Sequence, residues 1–218
     1  RSQAAVRVAV SLAEDGIISR NEAIMRVEPR AISELLHRQI DPDADRDVLG
    51  SGVAASPGAA TGKIVFSAEA AQSHASRGID CILVRRETSP EDVRGMHAAV
   101  GVVTERGGIT SHAAVIGRGI GLPCVVGVKD IRFQIKRKSL ICNNGRQLKE
   151  GDEITIDGTS GEILFGSPKM VEAALDDAFH TLLEWTDEVS DMTVRANADT
   201  PQDALTARKF NAQGIGLC

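Results

Sequence analysis

The sequence predicts an α/β protein, and three patterns along its 218 residues lead to that prediction. Residues 3–15 place apolar side chains at helical spacing. From Val48 to Gly166 the pattern changes to short β segments punctuated by glycine, and helical spacing returns after Pro168. We therefore predict three regions: a helical segment over 1–47, a central α/β domain over 48–168, and a connector helix with one βα unit over 169–218.

The first region should hold three helices. Residues 3–15 form the first, and Gly16 ends it. Ser19-Arg-Asn-Glu22 is a capping-box pattern that opens a second helix. Ala31–Leu36 should form a third, short helix. The acidic turn Asp41–Asp47 then marks a boundary with the central domain.

The central region alternates predicted strands with predicted helices. The strands are Ala59–Phe66, Cys81–Arg85, Gly101–Thr104, Cys124–Val126, Leu140–Cys142, Glu153–Asp157 and Glu162–Phe165. The helices are Ala68–Arg77, Pro90–Met96 after the cap Ser89, and Ser111–Arg118. Asn143–Gly145 and Gly158–Gly161 are typical of hairpin turns.

The last region predicts a helix from about Met170 to Ser190, followed by a strand over Thr193–Ala196. A further helix over Pro201–Phe210 and a strand over Ile215–Leu217 should follow. Parallel strands without further partners are unstable, so we expect the chain to be truncated here, with the last twenty-five residues or so frayed or packed atypically.

Composition narrows the class of protein. Hydrophobic residues make up 42% and charged residues 25%, as in soluble globular proteins, and the net charge of −5 gives no reason to expect nucleic acid binding. No apolar stretch is long enough to span a membrane. Widely spaced cysteines predict free thiols in a reducing cytoplasm, with Cys124 a buried apolar residue and not a nucleophile. We interpret the basic cluster Arg132, Lys136, Arg137 and Lys138 as a solvated face.

The most informative segment follows the apolar stretch Ala98–Val103, which predicts a buried strand. Gly107-Gly108 permits a tight turn, Thr110 and Ser111 are good helix caps, and His112 falls in the first helical turn. Free backbone N–H groups and the positive end of the helix dipole favour an anion there, and they disfavour a second proton on the imidazole. His112 is therefore the candidate catalytic nucleophile, with Gly107, Gly108 and Ser111 stabilising a bound phosphate.

Residues 107–124 resemble the phosphohistidine signature of the phosphoenolpyruvate-utilising enzymes. That family includes pyruvate phosphate dikinase, phosphoenolpyruvate synthase and enzyme I of the sugar phosphotransferase system. The flanking segments 51–66, 87–99, 149–161 and 194–203 are similar to the dikinase branch, so the resemblance covers essentially the whole chain. It implies the swivelling β/β/α phosphohistidine domain, followed by the truncated start of a C-terminal (β/α)8 barrel.

The resemblance also implies an activity and a set of partners. His112 would shuttle a phosphoryl group in the reaction ATP + phosphate + pyruvate = AMP + diphosphate + phosphoenolpyruvate. An ATP-grasp nucleotide-binding domain and a phosphoenolpyruvate- or pyruvate-binding barrel of the same polypeptide, lying outside this chain, would supply the two active centres and the Mg²⁺ sites, and the full-length enzyme would be a homodimer. A fragment of this kind should not turn over alone.

Other roles stay open at the level of sequence. By resemblance, Thr110 would be phosphorylated by a bifunctional regulatory kinase/phosphorylase, although it could equally serve as a helix cap. Arg106 and Arg118 border the loop and could meet phosphate or pair with carboxylates, and Arg195 cannot be assigned without the barrel. A synthase domain is the alternative enzyme, disfavoured by the Thr110-Ser111 pair, and a stand-alone phosphocarrier module is the alternative outside enzymes.

Overall fold

The computed structural model describes residues 2–172, 176–209 and 212–216. Its helices are α1 (Ser2–Glu14), α2 (Arg20–Arg26), α3 (Pro29–Leu35), α4 (Ala68–Ala75), α5 (Val93–Ala98), α6 (His112–Ile120), α7 (Asp177–Val189) and α8 (Pro201–Lys209). Its strands are β1 (Gln39–Ile40), β2 (Val48–Ser51), β3 (Val53–Ser56), β4 (Ala59–Val65), β5 (Cys81–Arg85), β6 (Gly101–Thr104), β7 (Cys124–Val126), β8 (Ile131–Gln134), β9 (Ser139–Cys142), β10 (Gln147–Lys149), β11 (Glu153–Asp157), β12 (Glu162–Phe165), β13 (Met170–Val171), β14 (Arg195–Ala196) and β15 (Gly214–Ile215).

The described residues fall into two compact units. One contains residues 28–172 together with the first residues of α1, and the other contains residues 4–27, 176–209 and 212–216. The predicted domain boundaries after residues 47 and 168 stay predictions.

The larger unit is organised around an eight-stranded sheet of order β2-β12-β11-β4-β5-β6-β7-β3. Its centre is parallel, because β4, β5, β6 and β7 run in the same direction, and the strands at both margins are antiparallel to their neighbours. Arg85 at the end of β5 is in register with Thr104 at the end of β6. The two chain segments that follow these strands therefore leave the sheet side by side.

Two apolar cores cover the two faces of this sheet. On β5, Ile82 and Val84 face one core while Cys81 and Leu83 face the other, as the period-2 alternation of a strand requires. The first core includes Phe133 and other residues of a three-stranded sheet of order β10-β9-β8. The second includes side chains of α4, α5 and α6. The layers are thus small sheet, large sheet and helices, and the predicted α/β class is confirmed.

The smaller unit packs α2 against α7. Arg20 lies over the Trp185 ring at 5.2 Å and pairs with Glu188 at 3.3 Å, and Arg7 of α1 pairs with Asp176 at 2.7 Å. The strands β14 and β15 are parallel, with α8 between them in the chain. These residues form one βαβ unit, and its identity as the start of a barrel stays a prediction.

Most predicted elements of the central region are present within one or two residues, and both predicted hairpin turns join antiparallel strands. The predicted helix from Met170 is wrong at its start, because Met170 and Val171 form β13, which pairs with Gln39 and Ile40 of β1. That pairing joins residues about 130 positions apart and is invisible to local periodicity. Helix α7 begins after Asp176, whose side chain accepts a hydrogen bond from Phe179 N at 3.0 Å.

Candidate functional site

His112 is the first residue of α6 and lies at the edge where the parallel strands end. Strand β6 ends at Thr104, a loop of seven residues follows, and Ser111 occupies the N-cap position with extended dihedral angles. Ala113 and Ala114 bury their methyl groups in the helix-side core, which fixes the first turn of α6. His112 itself is half-buried, so its ring is held on one side and reachable on the other.

A threonine that sequence reasoning did not single out contacts this histidine. Thr88 Oγ1 lies 3.2 Å from His112 Nδ1, and Thr88 is only 8% exposed. Thr88 belongs to the segment that follows β5, which leaves the sheet beside the segment that follows β6. The two residues are 24 positions apart, so their contact could have been predicted only from the order of the strands in the sheet.

The loop that carries Thr88 is pinned by a buried carboxylate. Asp92 is 3% exposed and accepts hydrogen bonds from Ser89 N at 2.9 Å and Ser89 Oγ at 3.2 Å. Its other oxygen lies 3.1 Å from Arg85 Nε, and Arg85 also donates to Phe66 O at 3.0 Å. Two hydrogen bonds and one ion pair thus stabilise this buried carboxylate and hold the Thr88 backbone in one place, although Arg85 Nε itself makes no hydrogen bond among the described residues.

The two glycines of the predicted turn have different environments. Gly107 has φ +121°, and a Cβ placed on it would lie 2.9 Å from both Cβ and Oγ of Ser111. Its carbonyl oxygen also lies 2.5 Å from the position of a Cβ on Gly127. Gly108 has no left-handed φ and open space around an added Cβ. Only Gly107 is therefore required by the geometry of the loop.

The hydroxyl groups of Thr110 and Ser111 lack protein partners in the part of the chain that the structure describes. Ser111 Oγ is buried without a hydrogen bond, and it makes no capping bond to α6. Thr110 is exposed and its side chain bonds to no other described residue. The first bond within the helix runs from Val115 N to Ser111 O at 3.0 Å, so the amides of the first turn point outward unpaired, as at helix N-termini generally.

The arginines flanking the loop differ in what they do. Arg118 donates to Ala55 O at 2.9 Å and to Ile109 O at 2.8 Å, so it ties the loop backbone to α6 and β3. A contact of Arg118 with phosphate stays a prediction. Arg106 is exposed, and its carbonyl accepts from Thr104 Oγ1 at 2.7 Å. Arg195 lies in β14, in the other compact unit.

Cys124 lies behind α6 and is fully buried, with its thiol 3.7 Å from Ala113 O. Burial raises the pKa of the Cys124 thiol to about 12. A thiol held in its neutral form is a poor nucleophile, so the interpretation of Cys124 as a packing residue agrees with its surroundings. Cys81 and Cys142 are also free and buried, and Cys218 lies outside the described residues.

Metal ligands do not gather in residues 2–172, 176–209 and 212–216, where no group of three or more His, Cys, Asp or Glu side chains is placed to hold an ion. The Mg²⁺ expected for domains outside this chain stays a prediction. Within the described part of the chain, no helix combines the length and apolar character needed to cross a membrane.

Residues 79–161 match the family profile described as "PEP-utilising enzyme, mobile domain". These residues are therefore similar to the mobile domain of the PEP-utilising enzymes. The matched residues run from β5 to the turn before β12 and contain Thr88, the glycine turn and His112. The match thus includes the segment in which the geometry places the candidate site.

Similarity to known enzymes extends beyond residues 79–161 to the whole chain. The chain is 51% identical over 217 residues to the pyruvate, phosphate dikinase of Rhizobium meliloti (strain 1021), covering 100% of this chain and 24% of that enzyme. It is 49% identical over 216 residues to the chloroplastic dikinase of Flaveria pringlei, covering 98% of this chain and 22% of the relative. The dikinase of Rickettsia typhi is 46% identical over 215 residues, covering 99% and 24%.

The chain thus spans about a quarter of the length of the relatives that it matches. Among solved structures, an NMR solution structure of Enzyme I aligns over 50% of this chain and 36% of its own, at 22% identity and a TM-score of 0.29. That score is too low to support a fold assignment.

Proposed function

We propose that the chain is the phosphoryl-carrying domain of a pyruvate phosphate dikinase, with His112 as the residue that accepts and donates the phosphoryl group. The observation that carries this proposal is a half-buried imidazole at the start of α6, in contact with Thr88 on one nitrogen and flanked by unpartnered donors. The dikinase relatives, 46–51% identical over nearly the whole chain, support the choice of reaction.

The contact with Thr88 suggests which nitrogen reacts. If Nδ1 carries the ring proton and donates it to Thr88 Oγ1, the lone pair of Nε2 is free to attack phosphorus. An N–P bond then forms at Nε2 while the bond from phosphorus to the leaving oxygen breaks, and that oxygen keeps the electron pair. The Nδ1 proton stays on the ring, so the cationic phosphoimidazole retains an acceptor in Thr88.

Groups around the helix start would hold the transferred oxygens. Ser111 Oγ is buried and unpartnered, and the first-turn amides of α6 lie beside it. Donors of this kind stabilise negative charge on a phosphoryl group, and Ser111 Oγ would become accessible through a shift of the loop. The left-handed backbone at Gly107 shapes this loop, whereas Gly108 adds open space. We assign Ser111 and these amides the phosphate-stabilising role.

The remaining parts of the reaction would come from elsewhere in the polypeptide. The relatives are about four times as long as this chain, which leaves room for a nucleotide-binding domain, a pyruvate-binding barrel and their Mg²⁺ sites. The carrier would then travel between two active centres in a cytoplasmic homodimer. Regulation would act at the exposed Thr110, where a phosphate dianion added by a regulatory kinase would repel incoming nucleotide phosphates.

The experiment that tests this function is labelling with radioactive phosphoenolpyruvate, with the pyruvate-binding barrel of a dikinase relative supplied in trans. The unaltered chain should become labelled, and His112→Ala should not, while its thermal unfolding stays unchanged because the ring is partly exposed. His97→Ala is the matched control, since His97 is an exposed histidine on the neighbouring helix α5. Equal labelling of His112→Ala and the unaltered chain would remove the assignment.

The choice of a dikinase over a synthase needs a separate measurement on the full-length enzyme. AMP and diphosphate formation from ATP and pyruvate should require added inorganic phosphate. Formation of AMP and inorganic phosphate without that addition would identify a synthase and would leave the role of His112 intact.

A further inference from the structure

A second candidate site lies beside the loops that carry His112, in a cleft of about 610 Å³. The cleft opens between the ends of β5 and β6 and the turn that follows β8. Its volume is within the range of about 300–1,000 Å³ found for small-ligand sites. His112 is not part of its lining, which consists of Arg85, Arg86, Glu87, Glu105, Arg132, Phe133, Gln134, Ile135, Lys136 and Arg137.

The lining carries an excess of positive charge. Five cationic side chains face two carboxylates; Arg86 pairs with Glu105 at 2.9 Å and Arg85 pairs with Asp92 at 3.1 Å, which leaves three cations. The exposed cations Arg132, Lys136 and Arg137 have no ion pair with any residue that the structure describes. Unpaired cations around a concave surface concentrate field lines and attract anions.

Not every basic residue of this segment contributes to the charge of the cleft. Lys138 follows directly in the sequence and belongs to the same basic cluster, but its ammonium group pairs with Glu150 at 2.8 Å and it does not line the cleft. The four basic residues that we interpreted as one solvated face therefore differ. Lys138 is neutralised by Glu150, whereas Arg132, Lys136 and Arg137 remain free to bind an anion.

The arrangement of these cations suits an extended anion with several phosphate groups. Two guanidinium groups and one ammonium group stand on one short segment, and guanidinium binds phosphate through paired hydrogen bonds. Phe133 and Ile135 supply the apolar part of the lining. A single phosphate offers one charged group to these three cations, whereas a polyphosphate offers several.

We propose that this cleft binds a polyphosphate anion, either inorganic pyrophosphate or the phosphate chain of a nucleoside triphosphate. Arg132, Lys136 and Arg137 would contact the phosphates, with Arg86 at the opposite wall. The site is distinct from His112, although Glu87 in its lining is the neighbour of Thr88. This inference goes beyond the proposed function and does not depend on phosphoryl transfer.

Isothermal titration of the 218-residue chain with pyrophosphate, ATP and AMP tests the proposal. Pyrophosphate and ATP should bind, and AMP should bind at least about tenfold more weakly because it offers one phosphate group. The triple variant Arg132→Gln, Lys136→Gln, Arg137→Gln should weaken ATP and pyrophosphate binding at least about tenfold. The triple variant Arg77→Gln, Arg94→Gln, Lys149→Gln removes the same charge outside the cleft and should change the affinities less than about twofold.

Several outcomes would overturn the polyphosphate site. They are no binding by the unaltered chain, equal affinity for AMP and ATP, and equal weakening by the two triple variants. Circular dichroism checks the fold, and Lys136→Glu alone, at an exposed position, replaces the triple variant if that variant unfolds. His112→Ala should bind ATP as the unaltered chain does, so loss of phosphoryl transfer and loss of this site are separate results.

Discussion

The two loops that leave the sheet after β5 and β6 are built in opposite ways. In the first, the buried Asp92 carboxylate accepts both bonds from Ser89 and forms an ion pair with Arg85, although Arg85 Nε makes no hydrogen bond among the described residues. In the second, Arg118 holds the backbone while Ser111 Oγ is left buried without a partner. A bonded carboxylate stabilises its loop, whereas an unbonded hydroxyl beside the imidazole contributes no such bond. The first loop is the support and the second is the working surface.

The largest effect should come from removing the support. Asp92→Ala leaves Arg85 and Ser89 N without their partner. Breaking a buried pair costs about 3–5 kcal/mol, and the 29% exposure of the Arg85 side chain lowers our expectation to about 2–4 kcal/mol. Urea unfolding measures the loss, and labelling should fall with it. Glu91→Gln, at an exposed neighbouring position, is the control. If Asp92→Ala were as stable as this control, Asp92 would not be needed to hold the loop.

The glycine turn offers a paired comparison within the working loop. Gly107→Ala must adopt a left-handed φ and push against Ser111, so we expect a loss of about 1–3 kcal/mol and slower labelling of His112. Gly108→Ala meets open space and should stay within about 0.5 kcal/mol of the unaltered chain. Thermal unfolding of both variants decides, and equal stability of the two would contradict the different roles assigned to these glycines.

A smaller effect is expected where the two loops touch. Thr88→Val keeps the shape of the side chain but removes the hydroxyl at His112 Nδ1. One hydrogen bond is worth about 0.5–1.5 kcal/mol, which corresponds to a two- to twelvefold slower phosphoryl transfer. Thr88→Ser should restore most of the rate. A pH profile of labelling should also shift in Thr88→Val and return in Thr88→Ser, a response that simple loosening of the fold would not give.

The last effect concerns the back of α6, is absent near neutral pH and appears only at high pH. The pKa of the Cys124 thiol lies at about 12 in the folded chain, because of burial, against an ordinary value of 9.0. Its neutral form stabilises the fold fully below pH 9, and this contribution is lost as pH rises from about 9 toward 12. Cys124→Ala should make that part of the stability curve less steep, and the remaining slope should come from Cys81, whose pKa burial raises to about 11. At pH 8, an alkylating reagent should modify Cys124 in urea but not in the folded chain.

Much of the structure around the candidate site could be predicted from the sequence. Glycine-bounded apolar runs located β5, β6 and β7, and the pattern at residues 107–112 placed His112 at a helix start, as observed. Strand β8 was missed although Ile131 and Phe133 alternate with Arg132 and Gln134 as in a half-buried strand, because Arg132 was grouped with the basic residues interpreted as a solvated face. The contact between Thr88 and His112 depends on the order of strands in the sheet, which no local pattern contains.

The different hydrogen bonding of Ser89 and Ser111 was not predicted either. Both serines precede a helix and both fit a capping pattern, yet Ser89 is bonded to Asp92 and Ser111 Oγ has no partner among the described residues. The sequence contains the acidic residue three positions after Ser89, and Ala114 stands at the matching position after Ser111. This difference in sequence could have predicted the different bonding of the two serines, since only Ser89 has a nearby carboxylate that can accept its hydrogen bond.

The most direct test of the account is to identify the phosphorylated nitrogen. The chain, labelled with ¹⁵N at histidine and phosphorylated by phosphoenolpyruvate through a barrel supplied in trans, can be followed by ¹H–¹⁵N correlation spectra. We predict phosphorus on Nε2 of His112, with the proton retained on Nδ1 beside Thr88. Phosphorus on Nδ1, or on any residue other than His112, would contradict the account.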